Sequence, residues 1–202
     1  MSRVPPPRVL ALGAAGLFVL AALVLFLVWR PALRHEPVVY SGTPIVPPKA
    51  AADAVLVDGN GRPAHVLVPG FAATFLFFGY THCPDECPLA LASLGRAYRK
   101  LTPEEAARTR VVFVSVDPQR DTPAVVKRYM ASFDPHFIAL TGTRRALAPV
   151  WAAYGVEVNP GTREIDHGDA IYAIDATNRV VLVYPPDAPA ADLAGDAAKL
   201  AS

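Results

Sequence analysis

The sequence contains little cysteine and almost no net charge. Only two of its 202 residues are cysteines, Cys83 and Cys87, too few for the disulfide framework of a small secreted domain. Lysine and arginine number 19 and aspartate and glutamate 18, a net charge of +1. This balance argues against a protein that binds nucleic acid through many phosphate contacts. With 52% hydrophobic and 18% charged residues, the chain is also not expected to be intrinsically disordered.

Signatures of several enzyme classes are also missing. The chain contains no H-E-x-x-H, no G-x-S-x-G and no G-x-x-x-x-G-K-[ST] motif. Gly59 and Gly61 lack the third glycine of a dinucleotide-binding fingerprint and are typical of a turn. None of these familiar catalytic or nucleotide-binding arrangements is therefore expected.

One long apolar run lies near the start of the chain. Residues 9–29 carry no charge, and a helix of that length can cross a hydrocarbon core about 30 Å thick. A cleaved signal peptide would have a shorter apolar region and a small-residue cleavage site, and a buried core helix is the other alternative. We therefore expect a membrane anchor over residues 1–30. Two arginines precede the run and two follow it, so charge does not decide its orientation.

A proline-rich segment follows the apolar run. Residues 31–52 contain five prolines, which disfavour helix and favour an extended, semi-stiff tether. The remaining residues, 53–202, have the usual length of a single domain.

Strand and helix patterns alternate in this last part. An Asn-Gly turn between two short apolar segments predicts an N-terminal β-hairpin, and continuous apolar runs predict strands buried on both faces. The predicted strands cover residues 55–57, 64–68, 73–80, 111–116, 137–140, 170–174 and 180–184. Helices are predicted over residues 89–101, 122–133, 144–154 and 191–201, with a further helix start at 102–105. This alternation predicts an α/β fold with a parallel centre and hairpins at its edges.

The two cysteines follow the first of the buried strands. Cys83 and Cys87 are four positions apart just before a predicted helix, whose amino-terminal end favours the thiolate form. If the segment coils into a helical turn, both sulfurs lie on one side and suit a soft ion such as Cu(I). A redox pair usually has two intervening residues rather than three, but the spacing does not exclude a disulfide.

Two thiolates coordinate copper incompletely, so a third ligand is expected from one of five histidines. His35 and His65 are interpreted as surface residues and His136 as structural. His82 directly precedes Cys83 in the chain, and its side chain should point away from the Cys83 sulfur. His167 is the better candidate because it directly precedes the strand predicted at 170–174, although most loop histidines are simply solvated.

Two acidic residues follow the second buried strand. Asp117 and Asp121 lie in the loop at its carboxyl end, where reactive groups gather in such sheets. They either shape the site or a partner surface, or simply belong to the start of the next helix.

Three motifs together resemble the SCO/SenC family. They are FFGYTHCPDECP (residues 77–88), VSVDPQRDTP (114–123) and the pair Asp166-His167 before IYAID. Members of that family are membrane-anchored, thioredoxin-like copper chaperones for cytochrome c oxidase assembly. The resemblance implies a thioredoxin-like fold and assigns one copper per chain, as Cu(I) or Cu(II), to Cys83, Cys87 and His167. Gly168 departs from the family, which often has serine or another small polar residue there.

The resemblance also implies a partner and a location. The copper acceptor would be the binuclear copper site of cytochrome c oxidase subunit II, with the domain on the periplasmic side of a bacterial inner membrane. A thiol–disulfide oxidoreductase that reduces the cysteines of that site, through a Cys83–Cys87 disulfide, is the alternative function. A peroxidase-like enzyme is a third, for which two cysteines so close together would be unusual.

Overall fold

A computed structural model of the chain describes residues 19–27, 38–158 and 170–202. The chain divides into two compact units, Met1–Val39 and Tyr40–Ser202. In the first unit residues 19–27 are helical. No helix within the described ranges has the length and hydropathy needed to cross a bilayer. The rest of the anchor predicted over residues 1–30 lies outside the described residues.

The second unit is built on one eight-stranded mixed sheet. Its strands are β1 (Thr43–Ala50), β2 (Val55–Asp58), β3 (Pro63–His65), β4 (Ala73–Gly79), β5 (Thr109–Ser115), β6 (Ile138–Thr141), β7 (Ile171–Asp175) and β8 (Arg179–Tyr184). They lie in the order β1-β8-β7-β4-β5-β6-β2-β3. Strands β4, β5 and β6 pair in parallel, and every other pairing is antiparallel. The predicted parallel centre and the hairpins β2–β3 and β7–β8 are confirmed.

The helices of this unit connect the strands and cover the sheet. They are α1 (Glu86–Tyr98), α2 (Pro103–Ala107), α3 (Pro123–Ala131), α4 (Arg144–Ala153) and α5 (Ala190–Ala201). Every residue of β4 and β5 is buried, as expected for central strands covered on both sides. Successive side chains of β4 face opposite sides. Phe75 lines a small cavity with residues of α1 and α5, whereas the Phe78 ring lies 5.1 Å from that of Tyr154 after α4.

Strand β1 corrects part of the sequence interpretation. Residues 43–50 fall inside the segment assigned to the tether (31–52), but they pair with β8 as an edge strand of the sheet. Proline is compatible with an edge strand, because a missing N–H there costs no ladder hydrogen bond. The register shifts between Pro44 and Lys49, across the Pro47-Pro48 pair. The same prolines that suggested a tether are therefore accommodated at the edge of the folded unit.

The first helix also begins earlier than predicted. We expected a helix over residues 89–101, and α1 covers Glu86–Tyr98. Pro88 is tolerated because it lies in the first turn, where backbone N–H groups have no intrahelical partner. Cys87 consequently belongs to the helix itself, and Cys83 lies in the loop before it.

Candidate metal centre

The two cysteines occupy the connection between β4 and α1. Cys83 is partly exposed in the loop and Cys87 is fully buried in the first turn of the helix. Neither forms a disulfide. The backbone N–H of Cys87 donates to the Cys83 sulfur at 3.4 Å, so the loop folds back over the start of α1. The two thiols thus share one helix start, one facing solvent and one facing the core.

Gly79, the last residue of β4, makes room for the inner sulfur. A Cβ atom built there would lie 2.8 Å from Cys87 Sγ and 3.0 Å from carbons of both Phe77 and Phe113. No ordinary side chain tolerates a contact of 2.8 Å, so the sulfur rests directly against the glycine backbone. Glycine is needed at position 79 because the Cys87 sulfur approaches the backbone closely, and not because the backbone there has an unusual conformation.

The amino-terminal end of α1 has an electrostatic preference for anions. Asp85 precedes the helix but makes no side-chain capping hydrogen bond, which leaves the Cys83 sulfur as the acceptor for the Cys87 N–H. Unpaired N–H groups and the helix dipole favour negative charge at this position. Two sulfurs that can ionise here make a donor set for a soft metal ion. The residues present therefore fit copper in chemical type.

Asp121 fastens the cysteine loop to the neighbouring strand. Its fully buried carboxylate accepts hydrogen bonds from the Thr81 hydroxyl at 2.6 Å, the Ser115 hydroxyl at 2.7 Å and the Thr81 N–H at 3.3 Å. Burial raises the pKa of Asp121 above its ordinary value, the donors from Thr81 and Ser115 oppose that rise, and the nearby charge of Asp117 adds to it. This carboxylate joins the loops that follow β4 and β5.

The same hydrogen-bond network orients the histidine beside the first cysteine. The Thr81 hydroxyl donates its proton to Asp121, so its oxygen is the acceptor for His82 Nδ1 at 3.0 Å. That assignment puts a proton on His82 Nδ1. The ring is exposed.

Asp117 has a different role from Asp121. Its carboxylate accepts from Arg120 Nε, and the Arg120 guanidinium lies 5.8 Å from the ring of Tyr80. The Asp117 backbone N–H donates to the Ser115 hydroxyl at 3.0 Å. The ion pair holds Arg120 within the loop that contains both acids, and the cation–π contact with Tyr80 connects that loop to the end of β4, as Asp121 does.

The remaining histidines are not brought to the cysteines in the described part of the chain. His65 pairs with Asp53 at 2.7 Å, and His136 pairs with Asp134 at 2.9 Å beside the ring of Tyr98. His35 and His167 lie outside the described residues. Within the ranges that the structure describes, no three His, Cys, Asp or Glu side chains are grouped closely enough to hold a metal ion.

Sequence reasoning missed the residues that support the cysteine loop. Thr81 and Ser115 were not singled out, although both sit at the carboxyl end of a strand read as buried. A polar residue in such a position needs a hydrogen-bond partner nearby, and the acids of the adjacent loop were the available signal.

A dithiol at the end of a central parallel strand, on a mixed sheet covered by helices, defines a thioredoxin-like protein. The sequence profile of the family described as SCO1/SenC matches residues 49–202. The chain belongs to the SCO1/SenC family, and the resemblance seen in its three motifs is confirmed.

Named relatives and solved structures agree with this assignment. The mitochondrial SCO2 homolog of Bos taurus is 38% identical over 129 residues, which cover 60% of this chain and 48% of that protein. This chain therefore spans about half the length of that relative. Apo Sco1 from Thermus thermophilus has a TM-score of 0.71 and 35% identity, covering 82% of this chain and 99% of its own.

Structures of similar proteins also include a copper-bound one and one described as having a disulfide switch. ScoI from Bradyrhizobium japonicum, with copper bound, has a TM-score of 0.66 and 34% identity, and the match covers 75% of this chain and 99% of that one. BsSco shares the fold at a TM-score of 0.63 and 20% identity, over 81% of this chain and 97% of that one. It is described as a member of the Sco family of cytochrome c oxidase assembly proteins with a disulfide switch.

Proposed function

We propose that this protein is a membrane-anchored copper chaperone that delivers copper to the binuclear copper site of cytochrome c oxidase subunit II. The observation that carries the proposal is the pair of cysteines at the start of α1, one sulfur partly exposed and the other buried. Soft sulfur donors select a soft ion such as Cu(I) over harder cations. The copper bound in ScoI, a structure 34% identical to this chain, supports the choice of metal.

We assign the proposed copper ligands to Cys83, Cys87 and His167, with one copper per chain. Strand register supports the contribution of His167. Ile171, the first residue of β7, pairs with Phe77 near the carboxyl end of β4. The chain therefore enters β7 at the same end of the sheet where it leaves β4 for the cysteine loop. A histidine four residues before Ile171 is within reach of that loop by chain length alone.

Transfer in this proposal proceeds by ligand exchange. The two thiolates hold Cu(I), and the imidazole gains importance with the harder Cu(II). Cysteines and histidines of the acceptor then replace the ligands of this chain one at a time. Asp121 holds the cysteine loop in place through Thr81, and Asp117 pairs with Arg120, whose guanidinium contacts the ring of Tyr80 just before that loop.

A thiol–disulfide oxidoreductase is the second candidate function. The contact of the Cys87 N–H with the Cys83 sulfur, at 3.4 Å, holds the two cysteines in adjacent positions that suit a disulfide as well as a metal. In that reaction Cys83 and Cys87 lose two electrons and two protons and form a disulfide. The acceptor's disulfide gains them and becomes two thiols. His167 is not needed for this chemistry.

The proposal also includes a location. The apolar run at residues 9–29 would anchor the chain in a bacterial inner membrane, with residues 31–39 as the connecting segment and residues 40–202 as the copper-binding domain on the periplasmic side. Deletion of residues 1–30 should move the protein from the membrane fraction to the soluble fraction after cell lysis. Retention of the truncated chain in washed membranes would contradict the anchor.

The decisive experiment is an anaerobic Cu(I) titration of the reduced protein. We expect saturation at one copper per chain and a first shell of two sulfurs and one nitrogen by X-ray absorption. Cys83→Ser and Cys87→Ser should each abolish stoichiometric binding, because a single thiolate cannot hold the ion. Uptake that never saturates would contradict the proposal.

The histidine variant separates the two candidate functions. For a chaperone, His167→Ala should weaken copper binding and oxidase assembly in cells, whereas a reductase should keep its thiol exchange. His136→Ala is the matched control, because its imidazole is paired with Asp134. Equal copper affinity in both histidine variants would remove His167 from the site.

A further inference from the structure

The turn between β2 and β3 contains an asparagine followed by a glycine, a pair that the proposed function does not use. Asn60 and Gly61 are both exposed, and Gly61 has a φ of +80°, in the left-handed region that favours glycine. An asparagine side chain can react with the backbone nitrogen of the next residue, and glycine, which has no Cβ, hinders that reaction least. The two reacting groups are therefore adjacent in this turn.

Helix α3 supplies a cation to the asparagine side chain. Lys127 Nζ donates to the Asn60 side-chain oxygen at 2.7 Å. The turn also packs closely on this lysine, since a Cβ atom on Gly59 would lie 2.7 Å from Lys127 Cβ. The ammonium group is therefore held at the Asn60 carbonyl by packing as well as by the hydrogen bond. Positive charge at that oxygen makes the adjoining carbon, Cγ, a better electrophile.

Asp58 fixes the orientation of the same amide. Its carboxylate accepts from Asn60 Nδ2 at 3.4 Å, so the amide nitrogen faces an acceptor while the amide oxygen faces Lys127. The carboxylate also accepts from the backbone N–H groups of Asn60 and Arg62, each at 2.8 Å. The Gly61 N–H donates to the Asp58 carbonyl oxygen at 2.9 Å, and this bond must open before the Gly61 nitrogen can react.

We propose that Asn60 is a site of spontaneous deamidation, in which Lys127 stabilises the negative charge that develops on the Asn60 side-chain oxygen. The Gly61 nitrogen attacks Cγ of Asn60, so a bond forms between these two atoms and the bond from Cγ to Nδ2 breaks. Nδ2 takes up the proton that the Gly61 nitrogen loses and leaves as ammonia. Water then opens the resulting succinimide ring and gives aspartate or isoaspartate.

The modification changes the link between the turn and α3. With aspartate at position 60, a carboxylate lies beside Lys127 Nζ and the hydrogen bond becomes an ion pair. The same change removes the Nδ2 donor to Asp58 and places two like charges close together. Isoaspartate instead lengthens the backbone of the turn by one carbon atom. Either product adds a negative charge to the surface of the folded unit.

The test follows deamidation in the full chain, purified in detergent and kept in mildly alkaline buffer. Mass spectrometry of proteolytic peptides measures the fraction of Asn60 converted with time. An L-isoaspartyl methyltransferase, which methylates isoaspartate, detects that product separately. We expect both aspartate and isoaspartate to accumulate at position 60.

Asn178 provides a comparison within the same chain. It is exposed in the turn between β7 and β8, where the Asp175 carboxylate accepts from the backbone N–H groups of Thr177 and Arg179. The residue after Asn178 is thus an arginine, whose side chain hinders attack by its backbone nitrogen. Conversion at Asn60 should be faster by about tenfold or more, which is the effect of a barrier lower by roughly 1.4 kcal/mol.

Two variants of α3 test the role of the lysine. Lys127→Met removes the ammonium donor and should slow conversion at Asn60 about fivefold, because the developing oxyanion loses a charge-assisted hydrogen bond. Arg128→Met is the matched control, since it removes the next exposed cation of α3, which is not bonded to Asn60 among the described residues. In concentrated urea, Lys127→Met and the wild-type protein should convert at the same rate, because the contact exists only in the folded chain.

Each result supports or contradicts the proposal. Conversion at Asn60 no faster than at Asn178 would overturn the site. Equal rates in folded Lys127→Met and wild-type protein, or a difference that persists in urea, would overturn the role of Lys127. None of these measurements involves copper, so they stand whether or not the chaperone function is correct.

Discussion

The carboxylate of Asp121 joins two loops at the end of the sheet where the cysteines lie. From the sequence, Asp121 had two interpretations, as a site-shaping residue or as part of a helix start. In the structure Thr122 occupies the N-cap position of α3, and the carboxylate turns inward to Thr81 and Ser115. The two interpretations of Asp121 are distinguished by its contacts with Thr81 and Ser115, which are 40 and 6 residues away in the chain. A local sequence pattern does not contain such contacts.

A change at Asp121 should alter the pH dependence of stability. Because burial raises its pKa in the folded state, the folded chain holds a proton that the unfolded chain releases, so the free energy of unfolding falls as pH rises above about 4. Asp121→Asn should remove that fall. At neutral pH we expect a loss of about 1–2 kcal/mol, because one hydroxyl donor then faces an amide N–H. Urea denaturation between acidic and neutral pH measures both.

The control for this prediction removes a similar charge elsewhere. Asp175→Asn alters a carboxylate that caps the exposed turn between β7 and β8. The difference in stability between Asp121→Asn and the wild-type protein should narrow with rising pH. A constant difference across the range would show that Asp121 has the same pKa folded and unfolded.

The connection from β4 to α1 shows what could be predicted at the scale of elements. The continuous apolar runs predicted β4 and β5, and the cysteine spacing was compatible with a helical turn, although Cys83 lies in the loop before α1. The start of α1 was predicted three residues late, and Pro88 lies within its first turn. A proline in the first turn is compatible with helix, so composition could not distinguish these cases.

Gly79→Ala should disturb this connection. The added methyl group would lie 2.8 Å from Cys87 Sγ, so the sulfur or β4 must move. We expect a loss of about 1–3 kcal/mol in the free energy of unfolding, as is usual for an overpacked core. Copper affinity should fall together with it, because the displaced sulfur is one of the proposed ligands.

A glycine in α5 provides the comparison. A Cβ atom on Gly195 meets nothing within 4 Å, and alanine in a helix interior is favoured over glycine by about 1 kcal/mol. Gly195→Ala should therefore stabilise the protein slightly and leave copper binding unchanged. If Gly79→Ala keeps wild-type stability and copper affinity, the end of β4 accommodates the added methyl group without displacing the Cys87 sulfur.

At the scale of the whole molecule, the folded unit begins earlier than its apolar pattern indicates. Asp196 of α5 is fully buried and accepts from the backbone N–H groups of Ser41 and Gly42, from the Tyr184 hydroxyl and from Lys199. Although burial opposes it, these donors lower the pKa of Asp196. The strand order and the hydrogen bonds to Asp196 depend on residues that are far apart in the sequence. The sequence therefore predicted the other strands of the sheet but not the edge strand β1.

Truncation tests this boundary. A chain beginning at residue 53 lacks β1 and both backbone donors to Asp196, and leaves β8 as an unpaired edge. We expect it to be about 3 kcal/mol or more less stable than a chain beginning at residue 40, since the buried carboxylate of Asp196 loses two of its four donors and the sheet loses a strand. Urea denaturation of the two chains at neutral pH makes the comparison. Equal stability would mean that residues 40–52 are dispensable.

The unequal exposure of the two sulfurs sets an order of events for any exchange with another protein. An incoming nucleophile can approach Cys83 from solvent, whereas Cys87 is enclosed by the end of β4 and the first turn of α1. When the two cysteines form a disulfide, an incoming thiolate therefore attacks the Cys83 sulfur, the Cys83–Cys87 bond breaks, and Cys87 leaves as a thiolate while Cys83 carries the mixed disulfide. The unequal exposure of the two sulfurs therefore determines which cysteine a partner protein contacts first.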